Sequence, residues 1–382
     1  MIPGPLYAAV AASAAIILVS PFMGQLQSFL RRSLSTQNYV LLFGVGVLVA
    51  VGLAIAMAVT RIRDRRGERF ALLAIALLLG GSYMWATGTP YAEVNAVERV
   101  HFVEYGLIAF LFYRAGLPRR SLGEGGRAAG DLSMLILPLL AGFMVGTLDE
   151  WLQWFIPVRV GEAHDVFLNL VSLMCGVLFA IALQPPASFT PRLAAASFKR
   201  VGLGAAIVWL VFATFVSQVH LGHSIDVQGI GRFHSHYTAD QLDALSRDRA
   251  ERWRSDPPKT LKRLSREDQY LDEGLWHVRR RNVVEVDEAW RENLILERFF
   301  VPVLDTATYA SPNGNRWPAE QRADVATRIG AVPIEFVSAA EPYPIVAWPN
   351  AIYWPAVIAI ALLLAGAASA LGWRVLRTDP LR

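Results

Sequence analysis

The chain has 382 residues, of which 54% are hydrophobic and 18% charged, and its mean hydropathy is +0.36. That composition excludes an ordinary soluble domain of this length. The net charge of +4 does not point to nucleic acid, because residues 220–349 hold 17 Lys/Arg and 20 Asp/Glu while the remainder holds 19 and 12, gathered in short loops between apolar runs.

Apolar runs predict an all-α polytopic membrane protein with eight transmembrane helices. The spans are Leu6–Met23, Tyr39–Thr60, Phe70–Thr87, Phe102–Tyr113 with a polar lead-in, Leu132–Leu148, Val166–Leu183, Val201–Val219 and Ile352–Val375. The first reads as a retained helix, since Met1-Ile-Pro-Gly-Pro5 has no basic residue and no cleavage site follows. The single cysteine, Cys175, lies inside an apolar run and carries no information on compartment.

Basic loops set the orientation. Arg61–Arg69 holds five arginines and Arg114–Arg127 four; Arg192, Lys199 and Arg200 follow, then Arg374, Arg377 and Arg382. They alternate as cytoplasmic loops with both termini cytoplasmic, with Arg31-Arg32 as the exception. Residues 220–349 are then an extracytoplasmic domain, periplasmic in a bacterium with two membranes. The expected divisions are 1–69 (N-terminal transmembrane helices), 70–183 (a central transmembrane domain), 184–219 (the seventh helix), 220–349 (the outer domain) and 350–382 (the last helix and tail).

The outer domain is expected to be mainly helical. Thr238-Ala-Asp-Gln241 is a capping box opening a helix to about Trp253. A longer pattern runs from Arg266 to Phe300, with a break near Arg281-Asn282 and an end at Pro302. Ser311–Asn315 reads as a turn, Pro318–Ile329 as a helix closed by Gly330, and Val332–Val337 as a strand. His220, His223, His234 and His236 are dense enough for zinc or copper but match no strong spacing, so no structural metal or cofactor is expected. Arg279-Arg280-Arg281 reads as a solvated helix surface.

The chemistry concentrates in two polar clusters beside apolar runs. Glu98, His101, Glu104 and Tyr105 open the fourth span; Asp149, Glu150, Gln153, Arg159, His164, Asp165 and Asn169 lie between the fifth and sixth. Glu98, His101 and Tyr105 share a face at i, i+3 and i+7 if the helix begins before Glu98, and Asp165, Asn169 and Ser172 share another. Ionisable groups at membrane depth face a partner, water or a ligand. His101 is suited to carry a proton, and Arg159 to grip a phosphate or carboxylate with its planar fork. A ligand pocket, a catalytic site and a network that braces the bundle all remain open. Trp151, Trp154 and Phe155 read as an interfacial aromatic belt, and Gly142–Gly146 as a close-packing face.

These clusters, in ERVHFVEYGLIAFLFY and DEWLQWFIPVRVGEAHDVFLNLVSLMCG, resemble the VanZ-like family, named for an accessory protein of teicoplanin resistance. The family pattern falls on Glu98, Arg99, His101, Tyr105, Asp149, Glu150, Gln153, Arg159, Asp165 and Asn169, with Glu and Arg in place of the more usual Asp and Lys. The resemblance implies a protein of the bacterial cytoplasmic membrane connected with the cell envelope or antibiotic resistance. Its expected partners are membrane lipids, a lipid-linked cell-envelope intermediate or a lipoglycopeptide, and a protein bound by the outer domain, with no nucleic acid. Recognition of an amphiphilic or anionic envelope molecule is the leading reading. The alternatives are an enzyme acting on a lipid-linked substrate and an envelope assembly factor.

Overall fold

Segments that are apolar on every side can satisfy their backbone away from water only as helices, and they do so here. The computed structural model describes residues 4–117, 129–156, 159–186, 188–258, 269–308, 311–330, 335–341 and 344–378, and 75% of these described residues are helical. It divides into two compact units, one of residues 1–152, 163–215 and 354–382, the other of residues 153–162 and 216–353.

The first unit contains α1 (Gly4–Ser33), α2 (Thr36–Arg61), α3 (Arg66–Thr87), α4 (Ala92–Gly116) and most of α5 (Ser133–Trp154). α6 (Ala163–Leu183) and most of α7 (Ala195–Val219) and α13 (Asn350–Thr378) complete it. Six helices among the described residues are long and apolar enough to cross a membrane: α1, α2, α3, α5, α6 and α7. The most apolar stretch of α2 has none of its residues buried, and Leu41, Leu48, Leu53 and Leu78 stand exposed. Apolar surface of that extent needs lipid rather than water. The other two expected spans are different: α4 carries Glu93, Glu98, Arg99 and Glu104, and α13 counts as a shorter apolar helix, Asn350–Gly366.

α4 and α6 approach closely: a Cβ on Gly176 would lie 2.4 Å from the Gly106 carbonyl oxygen. Only hydrogen at Gly176 allows the backbones to come this close, whereas a Cβ on Gly106 would meet ordinary contacts at 3.9 and 4.0 Å. The carboxyl end of α6 is closed by a buried cation: Arg69 Nε donates to the Ala182 carbonyl at 2.7 Å and Nη2 to Leu183 at 2.9 Å, while Asp64 takes Nη1. Those terminal carbonyls have no helical partner and carry partial negative charge, so an arginine suits them. Strands β1 (Ala129–Asp131) and β2 (Ser188–Thr190) form a short parallel pair, Ala129 opposite Ser188.

The second unit begins with a hairpin that the sequence reading missed: β3 (His223–Val227) pairs with β4 (Gly231–Ser235), Ile225 opposite Phe233. Gly229 and Gly231 take φ of +82° and +116°, and a Cβ on Gly231 would sit 2.8 Å from the Phe336 carbonyl oxygen, so the turn requires glycine. Arg232 N donates to the Phe336 carbonyl at 2.7 Å and Ser338 N to the Arg232 carbonyl at 2.8 Å, which ties the 335–341 segment to β4. Val337 bridges Arg232, while residues 332–334 of the expected strand lie outside the described residues.

The capping box forms: Thr238 Oγ1 accepts from Gln241 N, and Gln241 Oε1 from Thr238 N, opening α8 (Ala239–Arg252). The long helical pattern breaks where expected, into α9 (Gln269–Arg281) and α10 (Val286–Phe299). Pro302 does not end it; it stands in the first turn of α11 (Val301–Asp305), where its missing N–H costs nothing. α12 spans Ala319–Arg328. Phe233, Leu271, Ile295, Leu296, Phe299 and Phe300 form the core of this unit.

Candidate functional site

α4 begins at Ala92, so the polar lead-in is helical and Glu98, His101 and Tyr105 occupy one helix. His101 Nδ1 meets Asn169 Oδ1 of α6 at 2.9 Å. An amide oxygen only accepts, so in this contact Nδ1 carries the proton and Nε2 is left to accept or to take up a second. The Tyr105 ring lies nearly parallel to that of His101, centroids 6.0 Å apart, and its hydroxyl donates to Asp149 Oδ2 of α5 at 3.2 Å. A Cβ on Gly146 would stand 3.2 Å from the Asn169 amide nitrogen and 3.4 Å from the Tyr105 ring. The glycine lets the three helices meet.

Burial here is deep. Tyr105, Glu150, Asn169 and Ser172 are 0% exposed and Asp149 4%. Asp149, Glu150 and Glu104 all act electrostatically on the Tyr105 hydroxyl, and Glu98 lies within electrostatic range of Asp165, His164 and His101. Asn169 Nδ2 is buried without a hydrogen-bond partner. An ionised carboxylate at such depth is stable only with donors or cations around it, and the residue types present can hold protons and accept from polar groups.

Eight expected residues therefore lie in the first unit, where His101 joins Asn169, Tyr105 joins Asp149, and Glu98 lies near Asp165. Gln153 and Arg159 lie in the second unit. There Arg159 Nε donates to Gln153 Oε1 at 3.1 Å, and Nη2 donates to the same oxygen. His164 is exposed. Trp154 is not part of a lipid-facing belt: it is 3% exposed, packed edge-on to Phe155 and against His236.

The second unit also holds a polar cluster that sequence reading missed. His277 Nδ1 meets Glu292 Oε2 at 2.6 Å, Ser338 donates to Glu292 Oε1 at 2.6 Å, and His236 Nδ1 lies 3.6 Å from Glu273. Arg281, read as solvated, is 4% exposed, donating to Asn293 Oδ1 and the Asn315 carbonyl over the Trp317 ring. The signal was the spacing of Glu273, His277 and Arg281 at i, i+4 and i+8 on the apolar face of α9. His220 and His236 instead bond the backbone, through Nδ1 to the Pro344 carbonyl and Nε2 to the Val219 carbonyl. Among the described residues no group of three His, Cys, Asp or Glu is arranged to hold a metal.

Residues 82–184 match the family model VanZ/LLP1. No curated protein and no solved structure matches the chain. The match contains every residue that carried the resemblance, and it begins at Ser82, within α3. This is a membrane-type protein in which residues 82–184, holding the His101–Asn169 and Tyr105–Asp149 bridges, are a VanZ-like family domain.

Proposed function

We propose that the VanZ-like domain recognises the polar head of an amphiphilic cell-envelope molecule, at the constellation of His101, Asn169, Tyr105, Asp149 and Glu150. The supporting observation is the open valence of Asn169. Its side chain is wholly buried, its oxygen is committed to His101, and its amide nitrogen has no partner. A network that only braced helices would close such a donor, since an unmet buried donor costs about 1–3 kcal/mol. The Asn169 amide suits a phosphate, carboxylate or hydroxyl oxygen of a head group, and the neighbouring carboxylates suit its hydroxyl or amine hydrogens.

In this reading the chain spans the bacterial cytoplasmic membrane eight times, α4 and α13 included. Both termini are cytoplasmic and residues 220–349 outside, as the basic loops favour. A lipid-linked envelope intermediate or a lipoglycopeptide has the required chemistry. Native mass spectrometry of the chain extracted in native lipid tests this. Wild type is expected to retain an amphiphile that His101→Gln loses at unchanged membrane abundance and that Asn169→Leu loses per folded molecule; identical retained species in all three would refute it.

A further inference from the structure

The second unit encloses a small cavity whose buried polar atoms are left open. Glu273, His277 and Glu341 line it, with Trp154, Trp276 and His236 as further walls. Glu273 is 7% exposed and neither carboxylate oxygen has a hydrogen-bond partner; His277 is 0% exposed and its Nε2 has none; Glu341 Oε1 has none. The cavity measures about 30 Å³, and a single water needs on the order of 10–15 Å³, so it admits one small group and no sugar ring.

The open atoms share a sense. Glu292 holds His277 Nδ1–H, so the neutral ring presents Nε2 to the cavity as an acceptor, alongside carboxylate oxygens that also accept. The lining carries three carboxylates, Asp272, Glu273 and Glu341, with Arg159, His236 and His277 as its basic groups, and Glu292 adds a fourth carboxylate behind His277. The described side chains nowhere converge in threes to hold a bare metal, so a cation carrying its own N–H donors fits the acceptors better.

We propose that this cavity binds a primary ammonium group, with Glu273 and Glu341 as counter-charges and His277 Nε2 as an acceptor held in place by Glu292. The cavity uses none of His101, Tyr105, Asp149, Glu150 and Asn169, although Trp154, Arg159 and Val160 of the matched segment help to line it, and the proposal does not rest on the reading of that constellation. The same ammonium chemistry is found on a free amine and on an ethanolamine lipid head.

Ligand and protons compete for the same negative charge. His277 on α9 faces Glu292 of α10, Glu341 of the 335–341 segment and Glu273 of its own helix; burial opposes its charging, but these carboxylates outweigh burial and its pKa is raised. Burial likewise lifts Glu341 to about 7, partly countered by His277. Ammonium affinity is therefore expected to rise with pH.

The test is calorimetric titration of methylammonium into the full chain in phosphatidylcholine nanodiscs. Expected are saturable binding, at least tenfold tighter at pH 8 than at pH 6, and at least tenfold weakening by Glu341→Gln and Glu273→Gln. Glu341 is only half-buried, so Glu341→Gln carries the test if Glu273→Gln does not fold. Glu288→Gln, at a part-buried ion pair with Arg280 that does not line the cavity, should leave affinity unchanged. Blockade by phosphatidylethanolamine in the nanodisc assigns the group to a lipid head, and its absence assigns it to a free amine; either upholds ammonium recognition. No saturable binding at pH 8, equal binding by Glu341→Gln, or calcium bound in preference to the amine at these residues would overturn the proposal.

Discussion

His101 of α4 and Asn169 of α6, 68 positions apart in sequence, share a 2.9 Å hydrogen bond that fixes both the imidazole tautomer and the face α6 turns toward α4. Asn169→Leu removes the acceptor and leaves a buried N–H unmet, which is expected to destabilise the first unit by about 1–3 kcal/mol. His101→Gln keeps a hydrogen-bonding side chain but cannot titrate. It should therefore accumulate normally in the membrane, and any loss of the phenotype seen in a deletion strain then reports on the site itself. Normal phenotype for His101→Gln at normal abundance would leave only a structural role for this bond.

The α4–α6 approach makes a sharper stability prediction. A methyl on Gly176 would meet Gly106 backbone atoms at 2.4 and 2.7 Å and the Ala109 Cβ at 2.9 Å. Backbone cannot swing aside as a side chain can, so Gly176→Ala should cost roughly 1–3 kcal/mol. Gly81→Ala, where an added Cβ meets nothing within 4 Å, should cost almost nothing. Thermal retention of detergent-solubilised protein compares the two, and equal melting would show that the helices do not touch there.

Stability of the second unit should fall as pH rises. A group whose folded pKa is raised stabilises the fold below its unfolded pKa and loses that contribution as pH climbs through the folded value. Glu341 and His277 are of this kind: burial raises Glu341 from 4.5 to about 7, and the surrounding carboxylates raise His277 above 6.5 against burial; His220, whose pKa burial lowers, acts in the opposite sense. Asp243 and Glu297, held low by hydrogen bonds from Arg298 and Arg322, lose their contribution only under acid conditions. In amine-free buffer the melting temperature is expected to drop by about 5 °C between pH 5.5 and 8, with a smaller drop in Glu341→Gln. A flat or rising profile would contradict the buried cluster.

Orientation is testable by fusion reporters. A periplasmic reporter after Gly274 should be active, and one after Arg65 silent, because the 15 basic residues of the four expected cytoplasmic segments hold those segments inside. A cytoplasmic signal from position 274 would invert the siting of both polar clusters.

The sequence was most legible where one local rule acts alone. Apolar runs locate the membrane helices, Thr238 and Gln241 announce their capping box, and the i, i+3, i+7 spacing puts Glu98, His101 and Tyr105 on one helix. It was least legible where tertiary contacts decide. Nothing near Arg159 shows that its fork would meet the Gln153 amide oxygen. Arg281 looked solvated because its buried partners, Asn293 and the Asn315 carbonyl, are distant in sequence. The β3–β4 hairpin hid in a histidine-rich stretch, though Ile225 and Phe233 flanking a Gly-Ile-Gly turn are its signal.

The most direct measurement of the central claim is a density map of the chain purified in native lipid, compared with His101→Gln prepared identically. The account predicts non-protein density in the wild type with its polar end within hydrogen-bond reach of Asn169 Nδ2 and the Asp149–Glu150 carboxylates, and weakened density in the variant. A constellation fully closed by its own side chains, identical in both maps and free of bound density, would contradict it.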